Sequence, residues 1–159
     1  MAAFRCIPIE TETAERFRRT HMDDNGNAVR HAIAVGSGNF PCRHCLRPAM
    51  AGETVLLGSY NLPRPRGIYW TPSPIFVHAE ACERFDVDGE VAPVVRSNSL
   101  ISIRAYDAAD QCIYDLGSVC AANEIDGPLA LALDDVRTAF INIHTARPGC
   151  LLCRVERLD

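Results

Sequence analysis

A Cys-x2-Cys pair in Pro41-Cys42-Arg43-His44-Cys45-Leu46 constrains this chain more than any other feature. Two thiolates on one tight turn converge on a single ion in the geometry that tetrahedral zinc requires. A second pair of donors follows in His78-Ala79-Glu80-Ala81-Cys82. If that segment opens a helix, positions four apart share a face and the imidazole and thiolate point the same way. Cys42, Cys45, His78 and Cys82 then make a Cys3His set, four soft or borderline ligands that fill a structural zinc shell and leave no position for water. The interval from Cys45 to His78 is longer than in compact zinc fingers, so such an ion ties a loop to a helix start across the domain. Other readings of these residues stand beside this one. Cys82 can serve as a small buried apolar side chain next to a hydrogen-bonded His78. Cys42 and Cys45 can form a redox dithiol, although the expected strand–CxxC–helix context is missing. A catalytic zinc with three protein ligands and water would need one of the four released. His44, in the middle of the turn, is expected to face solvent and is not counted as a ligand.

The cysteines matter because there are eight in 159 residues, while Met1 to Glu15 lacks the features of a secretory signal. In a reducing cytoplasm such thiols serve as metal ligands, nucleophiles or small core residues and not as disulfides. A net charge of −4 argues against a broad nucleic-acid or anionic-membrane surface. No apolar run approaches the roughly 18 residues of a membrane helix. The expectation is a cytoplasmic bacterial-type protein whose partner is a small molecule or another protein. All 16 basic residues are arginine. That suits bidentate anion contacts, but their scatter fits a GC-rich codon bias equally well. A 48% hydrophobic composition is ample for one core, and the chain is expected to form a single domain over 1–159.

Periodicity and turn signals predict a helix over Ile9–Arg19, with Thr11 or Thr13 as its cap, and a turn over Asp23–Asn27. Strands are expected at Ala28–Val35, ending in a Gly36-Ser37-Gly38-Asn39 break, and at Thr54–Tyr60. Ile68–His78, with two prolines, suits an edge strand. Further strands are expected at Ser99–Asp107, Cys112–Cys120, Ala139–Thr145 and Cys150–Leu158, with a helix over Pro128–Thr138. Short connections favour antiparallel pairing. The fold class is therefore α+β: a mainly antiparallel sheet, two or three short helices and a zinc-pinned loop. Cys6, Cys112, Cys120 and Trp70 are assigned to the core, Asp134 and Asp135 to a solvated helix face.

A second cluster lies in His144-Thr145-Ala146-Arg147-Pro148-Gly149-Cys150. Alternation places Leu151, Cys153 and Val155 on the apolar face of the last strand, opposite Ile141 and Ile143. In that register His144 and Cys150 approach diagonally on the polar face, with Arg147 at the tip. A thiol beside an imidazole and a guanidinium suits an anion pocket or an activated nucleophile; an ordinary hairpin end is the plainer alternative. No Gly-rich phosphate loop, nucleophile elbow or His-Glu-x-x-His occurs, which removes the commonest enzyme classes.

Several segments resemble a bacterial family named for its domain of unknown function 1203. They are Phe40–Leu46, Gly52–Leu57, Ser73–Cys82, Leu100–Tyr106 and His144–Cys150, in family order over nearly the whole chain. The resemblance implies a small single-domain α+β protein and no particular activity. It also implies that the Cys45 counterpart is confined to a subset, so that a shared function sits nearer Arg43, His144, Arg147 and Cys150. Thr145 stands where that pattern has Asn. The favoured reading is a binding or interaction module with a structural zinc; His144 and Arg147 are candidate ligand contacts from the residues, and Arg43 joins them as what the resemblance implies. The alternative is a thiol- or metal-dependent enzyme centred on Cys150, His144 and Arg147.

Overall fold

In the computed structural model, which describes residues 1–36 and 40–158, eight strands build two antiparallel sheets. They are β1 (Phe4–Ile7), β2 (Arg30–Ile33), β3 (Thr54–Asn61), β4 (Pro72–His78), β5 (Leu100–Tyr106), β6 (Ser118–Ala121), β7 (Phe140–Thr145) and β8 (Leu151–Arg157). The larger sheet runs β1-β8-β7-β5-β6 and the smaller β2-β3-β4. Every strand pair in both is antiparallel, and with the helices α1 (Thr11–Thr20), α2 (Pro93–Arg96) and α3 (Asp126–Asp134) this gives the expected α+β class. The anticipated break at residues 37–39 lies outside the described residues.

Several elements differ from the sequence expectation for local reasons. Neither Thr11 nor Thr13 caps α1: Glu10 takes the cap position without a side-chain bond. Its carboxylate instead accepts the Tyr60 hydroxyl at 3.0 Å, while the Thr11 hydroxyl is committed to His44. Helix α3 starts and stops earlier than its apolar pattern suggests, because the Asp135 carboxylate accepts the Arg137 backbone N–H at 2.9 Å and closes a turn. The expected Cys112–Cys120 strand is interrupted: Cys112 makes a single bridge to Tyr106, Tyr114–Leu116 form a 3-10 turn, and the regular strand that pairs with β5 is Ser118–Ala121. Trp70 is 39% exposed and donates its indole N–H to the Leu62 carbonyl, so it is no core residue. Cys112 and Cys120 are half-buried, Cys6 fully buried.

The two larger apolar cores separate along β8, and a small third cluster gathers Ala34, Ala49 and Val55. Ile101, Ile103, Ile141, Ile143, Cys153 and Val155 pack with Leu129 and Leu133 of α3 in the first core. Phe17 of α1 packs with Leu56, Ile75, Val77 and Cys42 in the second. The strand pairing shifts register between Ile143 and His144, a bulge that leaves Cys153 opposite Ile143 but sets Leu151 opposite His144. Leu151 therefore joins the second core and Leu152 the first, which corrects the alternation predicted for this strand. The bulge has a visible cause. The Leu151 N–H donates to Ser73 Oγ on β4 at 2.9 Å and its carbonyl accepts Arg43, so neither group is free for the regular ladder.

The α1–β2 connection is organised by Asp23. Its buried carboxylate accepts the backbone N–H groups of Asn25, Asn27 and Ser59 at 2.8–2.9 Å and the Asn27 amide, fastening the turn to β3. Opposite it, Gly58 has no room for a side chain. A Cβ there would lie 2.8 Å from the Phe17 ring and 2.9 Å from Asp23 Cβ. Gly58→Ala is expected to cost about 2 kcal/mol through overpacking, measured as a drop in the urea midpoint at unchanged slope.

Candidate metal centre

The Cys-x2-Cys segment folds as a tight knuckle. Ala49 donates to the Phe40 carbonyl, Cys42 to Arg47, and Leu46 takes a positive φ of 52° that reverses the chain. The knuckle is then docked on both sides: the Arg43 N–H donates to Phe76 of β4, and the Arg43 carbonyl accepts the Ile9 N–H ahead of α1. Strand β4 delivers His78 as its last residue. No helix begins there, contrary to expectation. Residues 79 and 80 bend instead, and the chain runs on in irregular conformation through Cys82. One cause is that the His78 carbonyl, which would accept the first helical bond, is taken by Arg18 Nε at 3.0 Å.

The bend still brings Cys82 back to the knuckle. The donor atoms of Cys42, Cys45, His78 and Cys82 all lie within 4.8 Å of one another. Cys42 Sγ and Cys82 Sγ are 3.9 Å apart, and Cys45 Sγ is 3.5 Å from His78 Nδ1. Ligands about 2.3 Å (sulfur) and 2.0 Å (nitrogen) from a tetrahedral ion stand roughly 3.5–3.8 Å from each other, so the group fits a metal of zinc's size. The donor set is soft, and Cys42 and Cys45 are buried.

Residues around the cluster fix its orientation. His78 Nε2 lies 3.0 Å from Glu53 Oε2, the carboxylate–imidazole arrangement that sets which ring nitrogen faces a metal. The His78 N–H points at Cys42 Sγ at 3.4 Å. Arg18 Nη2 donates to Cys82 Sγ at 3.3 Å, placing a positive charge beside a site in which three thiolates would outweigh a divalent ion. His44, expected in solvent, is 2% exposed: its Nδ1 lies 3.2 Å from Cys82 Sγ and its Nε2 2.9 Å from Thr11 Oγ1. Sequence reasoning gives Arg18, Glu53 and Thr11 no part in the site: Glu53 lies in a family-resembling segment without a metal-type pattern, Thr11 reads as a helix cap, and His44 is set aside on its usual orientation.

Packing three sulfurs together concentrates negative charge, and the protonation of the group reflects that. Hydrogen bonds from Cys42 and Cys45, then from His44 and His78, hold Cys82 far below the ordinary thiol range. Bonding to Cys42 and Cys82 pushes Cys45 up, and the same two sulfurs raise His78 to about 10. A cavity of about 440 Å³ adjoins the cluster, lined by Cys45, His78 and Cys82 together with Glu53, Arg47 and Arg84.

The second cluster is placed differently. Arg43, Arg147 and Cys150 line one cavity of about 240 Å³ at the β7–β8 turn. Arg43 is 3% exposed, and burial lowers its pKa to about 10, which leaves it charged at neutral pH. His144 lies behind the turn, 4% exposed, with Nδ1 donating to the Gly149 carbonyl at 2.9 Å. Burial, and then the guanidiniums of Arg104 and Arg43, lower its pKa to about 4, so the ring is neutral. Among the described residues no hydrogen bond joins it to the Cys150 sulfur, and its Nε2 is buried without a partner.

An α+β protein of two antiparallel sheets, with a Cys3His group gathered between a knuckle and the end of an edge strand, is the class these features define. The chain belongs to the DUF1203 family, described as a protein of unknown function, whose model matches residues 39–157. That span takes in the whole Cys3His group and the β7–β8 turn. No curated protein and no solved structure matches the chain. Among the described residues no helix is long and apolar enough to cross a membrane.

Proposed function

We propose that this protein is a single-domain, zinc-stabilised binding module in which a structural zinc held by Cys42, Cys45, His78 and Cys82 fixes the floor of the adjoining cavity. The observation that carries the reading is the convergence of three sulfurs and one imidazole nitrogen within 4.8 Å, with Glu53 fixing the imidazole from behind. Four protein donors complete a tetrahedral shell, and a zinc so closed contributes folding energy and not a reactive water. The metal joins segments that otherwise meet through few backbone bonds, the knuckle and the irregular chain after β4. A reducing, cytoplasmic setting belongs to the same reading, because all eight cysteines are free, including Cys42 and Cys82 at 3.9 Å.

Metal content tests the reading directly. Elemental mass spectrometry of the purified, tag-free protein should find one zinc per chain that resists a mild chelator. Protein that is folded and metal-free after gentle purification would overturn it and return Cys42 and Cys45 to the role of a dithiol.

A further inference from the structure

The cavity at the β7–β8 turn has the makings of a second site. Its polar lining consists of Arg43, Arg147, Cys150, Thr145, Ser99 and Asn98, and no acidic side chain contributes to it among the described residues. Arg43 is the unusual group. It is nearly sealed from water, yet among the described residues it has no carboxylate partner. Nε donates to the Leu151 carbonyl at 2.6 Å and Nη1 to the Pro41 carbonyl at 2.7 Å, while Nη2 has no hydrogen-bond acceptor among the described residues. Two carbonyl dipoles orient the guanidinium without neutralising it, and a buried charge left without a counter-charge is costly.

The surroundings reinforce the sign. Arg147, on the turn itself, contacts only Ser99 Oγ at 3.4 Å and is likewise free of any carboxylate among the described residues. Arg104, also without one, reaches the same turn, where its Nη2 would lie 3.8 Å from a Cβ placed on Gly149. Two guanidiniums without a carboxylate partner among the described residues, those of Arg43 and Arg147, thus line one small concavity on a chain whose net charge is −4, and Arg104 adds a third positive charge behind the turn. His144 adds no charge of its own, since its ring is neutral. A concave site walled by one sign of charge attracts and holds the opposite sign.

We propose that this cavity binds a small oxyanion, a carboxylate or phosphate group, between the guanidiniums of Arg43 and Arg147, with the Cys150 thiol beside it. A guanidinium matches the oxygens of either group, and Arg43 is already locked in position, so little order has to be gained on binding. The volume suits a small metabolite or the anionic end of a larger one. None of these groups is a ligand of the Cys3His cluster, so failure of the zinc reading leaves the observations behind this proposal in place, and its test does not depend on a metal.

Cys150 provides the readout. In alkylation its thiolate attacks the methylene carbon of a haloacetyl reagent, the S–C bond forms and iodide departs. Iodoacetate carries a carboxylate and iodoacetamide does not. The ratio of their rates at Cys150 in the full-length protein, followed by peptide mass spectrometry, should exceed the ratio at half-buried Cys120 by about tenfold or more. Inorganic phosphate or acetate, added at constant ionic strength, should slow alkylation by iodoacetate. Protection by phosphate alone assigns a phosphate group, and protection by acetate alone a carboxylate. Arg147→Ala, an exposed position that the fold tolerates, should bring the ratio back to that of Cys120. A Cys150 ratio equal to that of Cys120 in the wild-type protein would overturn the proposal. Where Cys150 reacts too slowly with both reagents, thermal melts decide. Phosphate or acetate should raise the melting temperature of the wild-type protein and not of Arg147→Ala, and no rise with either anion overturns the proposal.

Discussion

Stripping the proposed zinc with a strong chelator should lower the melting temperature by about 10 °C or more, a loss of roughly 3–5 kcal/mol for a domain of this size. The effect stays below the full binding energy of a structural zinc because two apolar cores hold most of the chain together without it. The loss concentrates in the second core, where Cys42, Cys45 and Cys82 pack beside Val77 and Ile75. Cys42→Ser and Cys82→Ser should each lose the metal and melt lower than the wild type. Retention of one zinc per chain in both variants would show that the ligands have been misassigned. Acid should act in the same direction, since metal ligation requires His78 neutral and the three sulfurs as thiolates, and protons compete for all four.

Asp23→Ala should be the most damaging substitution away from the metal, costing about 3 kcal/mol. The alanine would leave the N–H groups of Asn25, Asn27 and Ser59 facing a site with no acceptor. Burial by itself works to raise the Asp23 pKa, but the N–H donors of Ser59 and Asn27 outweigh it and hold the carboxyl below its ordinary value. The sign of the pH dependence follows. A carboxylate whose folded pKa lies below its unfolded one contributes stability that is fully present above the unfolded pKa, near 4, and is lost as pH falls toward the folded one. Asp110 behaves alike: bonds from Arg64, and then from Arg66, hold it at about 2. Urea titrations from pH 6 down to pH 2.5 should show wild-type stability declining below about pH 4, with a shallower decline in Asp23→Ala. Parallel curves for the two proteins would remove Asp23 from this account.

The parts of the structure that were legible in the sequence are those in which chemistry restricts residue type. Four metal-type donors in two short pairs announced their grouping even though the helix expected to align His78 and Cys82 does not form. The strand alternation through Val77 simply runs on to His78, and Arg18, distant in sequence, takes the carbonyl a helix would need. Ile101 and Ile103, Ile141 and Ile143 also kept their predicted faces, because alternation is local. What could not be read off depends on contacts between distant segments. Leu151 changes sides because Ser73 and Arg43 claim its backbone, and His44 turns inward because Thr11 and Cys82 wait for it. The division into two sheets has the same origin, since no periodicity tells β4 and β8 which ladder to join.

Arg43 stands between Cys42 and Cys45, so a single turn of backbone carries donors to one site and a guanidinium to the other. An ion that tightened the knuckle should also restrain that guanidinium, and an anion that anchored the guanidinium should restrain the knuckle. Thermodynamic reciprocity then requires that the factor by which zinc improves anion binding equal the factor by which the anion improves zinc binding. If both proposed sites are filled, loss of the metal would weaken the hold on the anion by that same factor. Occupancy of the one would report availability of the other.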